Sequence, residues 1–160
     1  MALKFDPSTL PTRVQSSLKT LSAAATELNA ASDKFSKLIA EIDAALKPMN
    51  VGIASWVNIG SKWSDDRGNS GYDQIGYARV NGKWGIALRS VEEDFSGVED
   101  TEEIWAFSDG PRRLRLSSID YIPALLDALA KEATINTKDI QERTGHLAAI
   151  VDAVKGGSDK

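Results

Sequence analysis

The chain contains no cysteine, which excludes disulfides, thiolate catalysis and zinc–thiolate sites. It contains one histidine, His146, beside Gly145. With no second histidine to share a metal or relay a proton, a helical His in that setting reads as a surface residue, and no metal or cofactor is expected. Long apolar runs are missing too, so no membrane-spanning segment is expected. The opening residues lack the apolar core of a secretory signal, and a cytoplasmic protein is the default expectation. A net charge of −4 removes any global attraction to nucleic acid. "GNSG" (68–71) lacks the Gly-Lys-Ser/Thr ending of a phosphate loop and opens no helix. No Ser lies in a nucleophile-elbow context, so the chain is expected not to be an enzyme.

Proline is scarce and unevenly placed: five residues, with none between Pro11 and Pro48 and none after Pro123. Two long stretches are therefore free to be helical. Their composition, 42% apolar and 26% charged over 160 residues, suits one globular domain spanning 1–160. The first stretch predicts an N-terminal helix over 12–47, with Thr12 and Gln15 as a capping box. Its apolar seam reads Val14, Leu18, Leu21, Ala25, Leu28, Ser32, Phe35, Ile39, Ile42, Leu46. Spacings alternate four and three, the signature of helices that wrap at a shallow angle. The second stretch predicts a C-terminal helical segment over 120–155, with Asp120 as N-cap, Pro123 in the first turn and Gly156 as a stop. Its seam reads Ile122, Leu126, Leu129, Ala133, Asn136, Ile140, Arg143, Leu147, Ile150, Val154. A break, if present, would fall at residues 134–137, where poor helix formers cluster.

Laid antiparallel, the two seams match layer by layer. Leu28 meets Ile140, Leu21 meets Leu147, and Val14 meets Val154. Ser32 falls opposite Asn136, Phe35 opposite the small Ala133, and Arg143 opposite the small Ala25. A helical hairpin follows, closed within one chain or between two. Ala24, Ala31, Leu38 and Ala45 form a second stripe on the first helix that also needs cover, which points to a four-helix arrangement and a homodimer.

Between the helices, over 51–116, the hydrophobic period changes from helical to two, and a β-meander of four to five strands is expected. Strands are predicted at 51–59, 72–80, 83–91 and 104–107, with "RRLRL" (112–116) as a possible fifth. Asn81-Gly82 is the strongest short hairpin signal in the chain and predicts a type I′ turn. That turn sets Arg79 opposite Trp84, Tyr77 opposite Ile86 and Ile75 opposite Leu88 on one face. Gly76 and Ala78 face Ala87 and Gly85 on the other. The large face is the expected core face, with Arg79 over Trp84 as a cation–π pair. Two glycines within strands weaken them unless something approaches closely. That something is another part of this chain or a partner's backbone, which makes Gly76, Ala78, Gly85 and Ala87 candidate partner-binding residues.

Arg112, Arg113 and Arg115 are the one basic cluster and join the candidates. Seven acids crowd into Glu92–Glu103 and read as a solvated loop; Asp65, Asp66 and Asp73 lack the ligand spacing of a calcium loop. The fold class expected is α+β, a long helical hairpin joined to an antiparallel meander. The function expected is a non-enzymatic protein–protein interaction or assembly protein, in an adaptor, chaperone-like or inhibitor role, that presents its sheet to a protein partner. The alternative is a nucleic-acid-binding module using Arg112–Arg115 and the sheet aromatics. An enzyme built on the acids of residues 65–73 is the third class.

Overall fold

The Gly-free stretch after Pro11 forms one unbroken helix, α1 (Leu10–Leu46, 37 residues). The structure, a computed structural model, describes residues 10–49, 52–94 and 100–156. Four strands follow: β1 (Ser55–Ser64), β2 (Ser70–Val80), β3 (Lys83–Glu93) and β4 (Thr101–Ala106). A short helix α2 (Arg112–Ser118) and a 3-10 turn (Ile119–Tyr121) lead into α3 (Ile122–Gly156, 35 residues). The chain divides into two compact units, Met1–Ala45 and Leu46–Lys160. Two long helices and an antiparallel sheet make this an α+β protein. Among the described residues, no helix is long and apolar enough to cross a membrane.

In the first unit, α1 starts at Leu10, so Pro11 lies in its first turn and Thr12 is inside the helix rather than capping it. Every residue from Leu10 to Ala31 is exposed. The seam residues Leu18, Leu21 and Leu28 are 59%, 64% and 48% exposed.

The second unit is built on the sheet, a meander in the order β1-β2-β3-β4. Asn81 and Gly82 have φ of +49° and +80°, the left-handed pair that a type I′ turn requires. The register is the one that turn dictates: Ile75 opposite Leu88, Tyr77 opposite Ile86, Gly76 opposite Ala87. β1 differs from the expected 51–59. Val51 lies outside the described residues, and Gly52 has φ of +60°, which delays the strand to Ser55. The strand then runs on to Ser64 through a bulge between Ile59 and Trp63, where Gly60 takes φ of +70°. The N–H of Gly60 donates to the Tyr121 hydroxyl at 2.9 Å, tying the turn before α3 to β1.

"RRLRL" is α2, not a fifth strand. Pro111 precedes it, and the N–H of Arg115 donates to the Pro111 carbonyl, so the proline sits where its missing donor is not needed. The chain reaches α2 by crossing tightly over the core, and a Cβ on Gly110 would lie 2.7 Å from Leu88 Cδ1. Leu114 and Ser118 are buried. Asp120 lies inside the 3-10 turn that runs directly into α3, so it does not cap that helix.

The sheet's large face is the core. Ile75 and Leu88 are fully buried, with Tyr77, Ile86 and Phe107 close behind. α3 packs on β1 and β2, and its buried stripe is Ile122, Leu125 and Leu129. Here the heptad reading needs correcting: Leu126, expected in the seam, is 40% exposed, while Leu125 is completely buried. A flat sheet rewards the 3.6-residue period of a straight helix rather than a 3.5-residue seam. Beyond this anchored part, all residues from Thr137 to Gly156 are exposed.

The expected weak point at 134–137 is continuous helix. Thr134, Asn136 and Thr137 each donate a side-chain hydrogen bond to the carbonyl four residues back, at 2.8–2.9 Å. Their polar groups are satisfied locally, at little cost to the helix.

Candidate functional site

The sequence drew attention to the small face of the β2–β3 hairpin, and the structure places an aromatic ring there. Trp56 on β1 pairs with Gly76 on β2. Its indole lies where a Gly76 side chain would be, and a Cβ on Gly76 would also lie 2.6 Å from the Ser55 carbonyl oxygen. The glycine is thus required by the neighbouring strand. Ala78 is 8% exposed, Ala87 is completely buried, Gly76 is buried and Gly85 is half-buried.

Arg89 then covers Trp56. Its guanidinium carbon sits 4.3 Å from the ring centroid, a cation–π contact worth about 0.5–1 kcal/mol at a partly exposed site. Its Nε donates to Gln74 Oε1 at 2.7 Å, and its Nη1 donates to Glu102 Oε1 at 2.9 Å. Gln74 Nε2 donates in turn to Asn58 Oδ1 at 2.7 Å. Asn58, Gln74, Arg89 and Glu102 come from β1, β2, β3 and β4 respectively, so one polar ladder crosses the whole sheet. The expected Arg79–Trp84 pair is replaced: Arg79 Nε donates to the Gly82 carbonyl at 3.1 Å, and Trp84 stacks on Tyr77 with centroids 5.8 Å apart.

At the far end of the sheet, Lys62 bonds Glu93, which also accepts from the Ser70 hydroxyl at 2.9 Å. The Lys62 and Ser70 hydrogen bonds hold the Glu93 carboxyl below its ordinary value, against a smaller opposing loss of hydration. In the β1–β2 loop, Asp65 Oδ1 accepts the N–H groups of Arg67 and Asn69 at 2.8 and 2.9 Å, and Oδ2 accepts Asn69 Nδ2 at 2.9 Å. Loss of hydration pushes this carboxyl up, but the donors from Asn69, Arg67 and Gly68 together outweigh it and hold Asp65 below its ordinary value. Asp65 is therefore committed to shaping the loop. Among the described residues, no group of three His, Asp or Glu is placed to hold a metal ion.

The arginine cluster lies on α2, with Arg112 and Arg113 exposed and Arg115 half-buried. Of the acids that flank the described parts of the loop after β3, Glu93 pairs with Lys62 and Glu102 with Arg89. Glu99 of that loop lies outside the described residues. Among the aromatics offered for stacking, Tyr77 and Phe107 are buried.

The larger feature is on the helices. On α3, Ile140, Leu147, Ile150 and Val154 are 58–67% exposed, an apolar row interrupted by Arg143, and on α1 Val14, Leu18, Leu21 and Leu28 are 47–64% exposed. Sequence reasoning found both stripes by their spacing but missed Arg89, whose signal was its place in the row beyond Trp56 and Gly76. Comparison with protein-family models, with curated proteins and with solved structures found no match for this chain.

Proposed function

We propose that this protein is a non-enzymatic assembly protein, in which the helices hold copies of the chain together and each copy presents its sheet to a further protein. The observation that carries the reading is the pair of exposed apolar stripes, Val14–Leu28 on α1 and Ile140–Val154 on α3. Two stripes of equal span in each chain give two copies surfaces that can cover one another, with Arg143 facing the small Ala25. The sheet end suits a presented body. Its core is closed by Ile75, Leu88 and Leu125, and its outer face is fixed by the ladder through Arg89. Size-exclusion light scattering on the parent and on a Leu21→Glu/Leu147→Glu variant tests the reading. The parent is expected to elute above the 17.3 kDa of one chain, and the variant to return to that mass with an unchanged sheet. Equal masses for parent and variant would refute it.

A further inference from the structure

We infer that β4 is a docking edge, which takes an extended segment of another protein as a fifth strand, a segment that alternates basic with β-branched apolar residues. The inference rests on the reading above that the sheet is presented to a further protein, and it adds the strand that is used and the chemistry of the segment.

The two edges of the sheet, β1 and β4, are treated differently. β1 carries a bulge between Ile59 and Trp63, α3 packs on it, and the Tyr121 hydroxyl accepts the Gly60 N–H. Bulges and covering elements are devices that keep an edge from pairing again. Among the described residues, β4 pairs with β3 alone, in an unshifted register from Thr101 to Ala106, and it contains no proline. Thr101 to Ile104 are exposed. The backbone groups on its far side are therefore placed to pair with an added strand.

The side chains of β4 specify that strand, because residues opposite one another in a sheet share a face. Glu103 and Trp105 lie opposite Ser90 and Leu88 on one face, and Ile104, 42% exposed, lies opposite Arg89 on the other. An added strand thus meets a carboxylate and an indole along one face, both suited to Lys or Arg. On the other face it meets Ile104, suited to Val or Ile. Asp73, opposite Ser90, and Glu92, two residues on, share the face of Glu103 and favour basic residues further. Glu102 is already held by Arg89. A second copy suits this edge less well, because antiparallel β4 strands centred on Glu102 or Glu103 set like carboxylates opposite one another.

The probe is the synthetic peptide acetyl-Thr-Lys-Val-Lys-Val-Lys-Thr-amide, titrated into the full chain by calorimetry. Two further versions of the same charge are N-methylated, one at the lysines and one at the valines. A strand turns alternate N–H groups to opposite sides, so one version should bind about tenfold more weakly than the parent peptide and the other should lose little. Glu103→Lys should weaken the parent peptide about threefold or more and strengthen a version with Glu at the three lysine positions. If Glu103→Lys lowers the melting temperature, Glu103→Gln replaces it, with a smaller weakening expected. No binding of the parent peptide at millimolar concentration would overturn the inference and mark Glu103 as a guard of the edge. Equal weakening by both N-methylated versions would overturn it in favour of simple charge attraction. Amide exchange in β4 that slows as protein concentration rises, with no peptide added, would overturn it in favour of a second copy. Light scattering on the same samples reports self-association through the helices separately, so the failure of that reading and the failure of this one are told apart.

Discussion

Gly76→Ala adds one methyl group at the point where the sheet's outer face is most tightly closed. The Cβ would meet the Trp56 ring and, 2.6 Å away, the carbonyl oxygen of Ser55. A ring can swing aside, although only by leaving Arg89, whose guanidinium stacks on it 4.3 Å from the centroid. A paired backbone carbonyl cannot move without parting β1 from β2. Overpacking of this kind costs about 1–3 kcal/mol. Against it stands the loss of unfolded-chain freedom on replacing glycine, which stabilises by roughly 0.4–1 kcal/mol. The steric cost wins, and the net destabilisation should lower the melting temperature by about 2–4 °C per kcal/mol. Gly145→Ala is the internal standard. Nothing lies within 4 Å of its Cβ position, in the interior of α3, so there the same change should stabilise by roughly 0.5–1 kcal/mol. All four tryptophans lie in the strands, at 56, 63, 84 and 105, so a urea melt followed by tryptophan fluorescence reports on the sheet. A Gly76→Ala protein as stable as its parent would show that Trp56 does not hold this position.

Ala87 is completely buried, so Ala87→Phe should destabilise the sheet by about 1–3 kcal/mol in the same melt, whatever partner is present. Gly82 has φ of +80°, and Gly82→Val should lower the denaturation midpoint far more than Lys83→Val; equal tolerance would remove the type I′ turn. Glu93 and Asp65 have folded-state values below their ordinary ones, so their contribution is present above the unfolded values and is lost as pH falls through the depressed folded values. An acid titration of stability should therefore be flatter for Glu93→Gln than for the parent, and a parallel curve would count against the Lys62 and Ser70 bonds.

The hairpin register was legible in the sequence because one dipeptide fixes it: Asn-Gly dictates the turn, and the turn dictates every pair from Val80–Lys83 outward. The two long helices were legible because Pro falls only in the first turn of each and α1 contains no Gly. Strand ends were not, since Gly52 and Gly60 both adopt positive φ and move the limits of β1 in ways that alternation cannot reveal. "RRLRL" alternates like a strand, but Pro111 starts a helix there, and seven residues are too few for periodicity to decide. The choice of Leu125 over Leu126 depends on what the helix packs against, which a seam count does not contain. The Arg89 ladder joins residues from four strands, so it follows from register only after all three strand pairings are known.

The most direct test of assembly through the helices is sedimentation equilibrium of the unmodified chain over a wide dilution series. The account predicts a species of twice the 17.3 kDa chain mass, dissociating on dilution. A single species at 17.3 kDa across the whole series would contradict it.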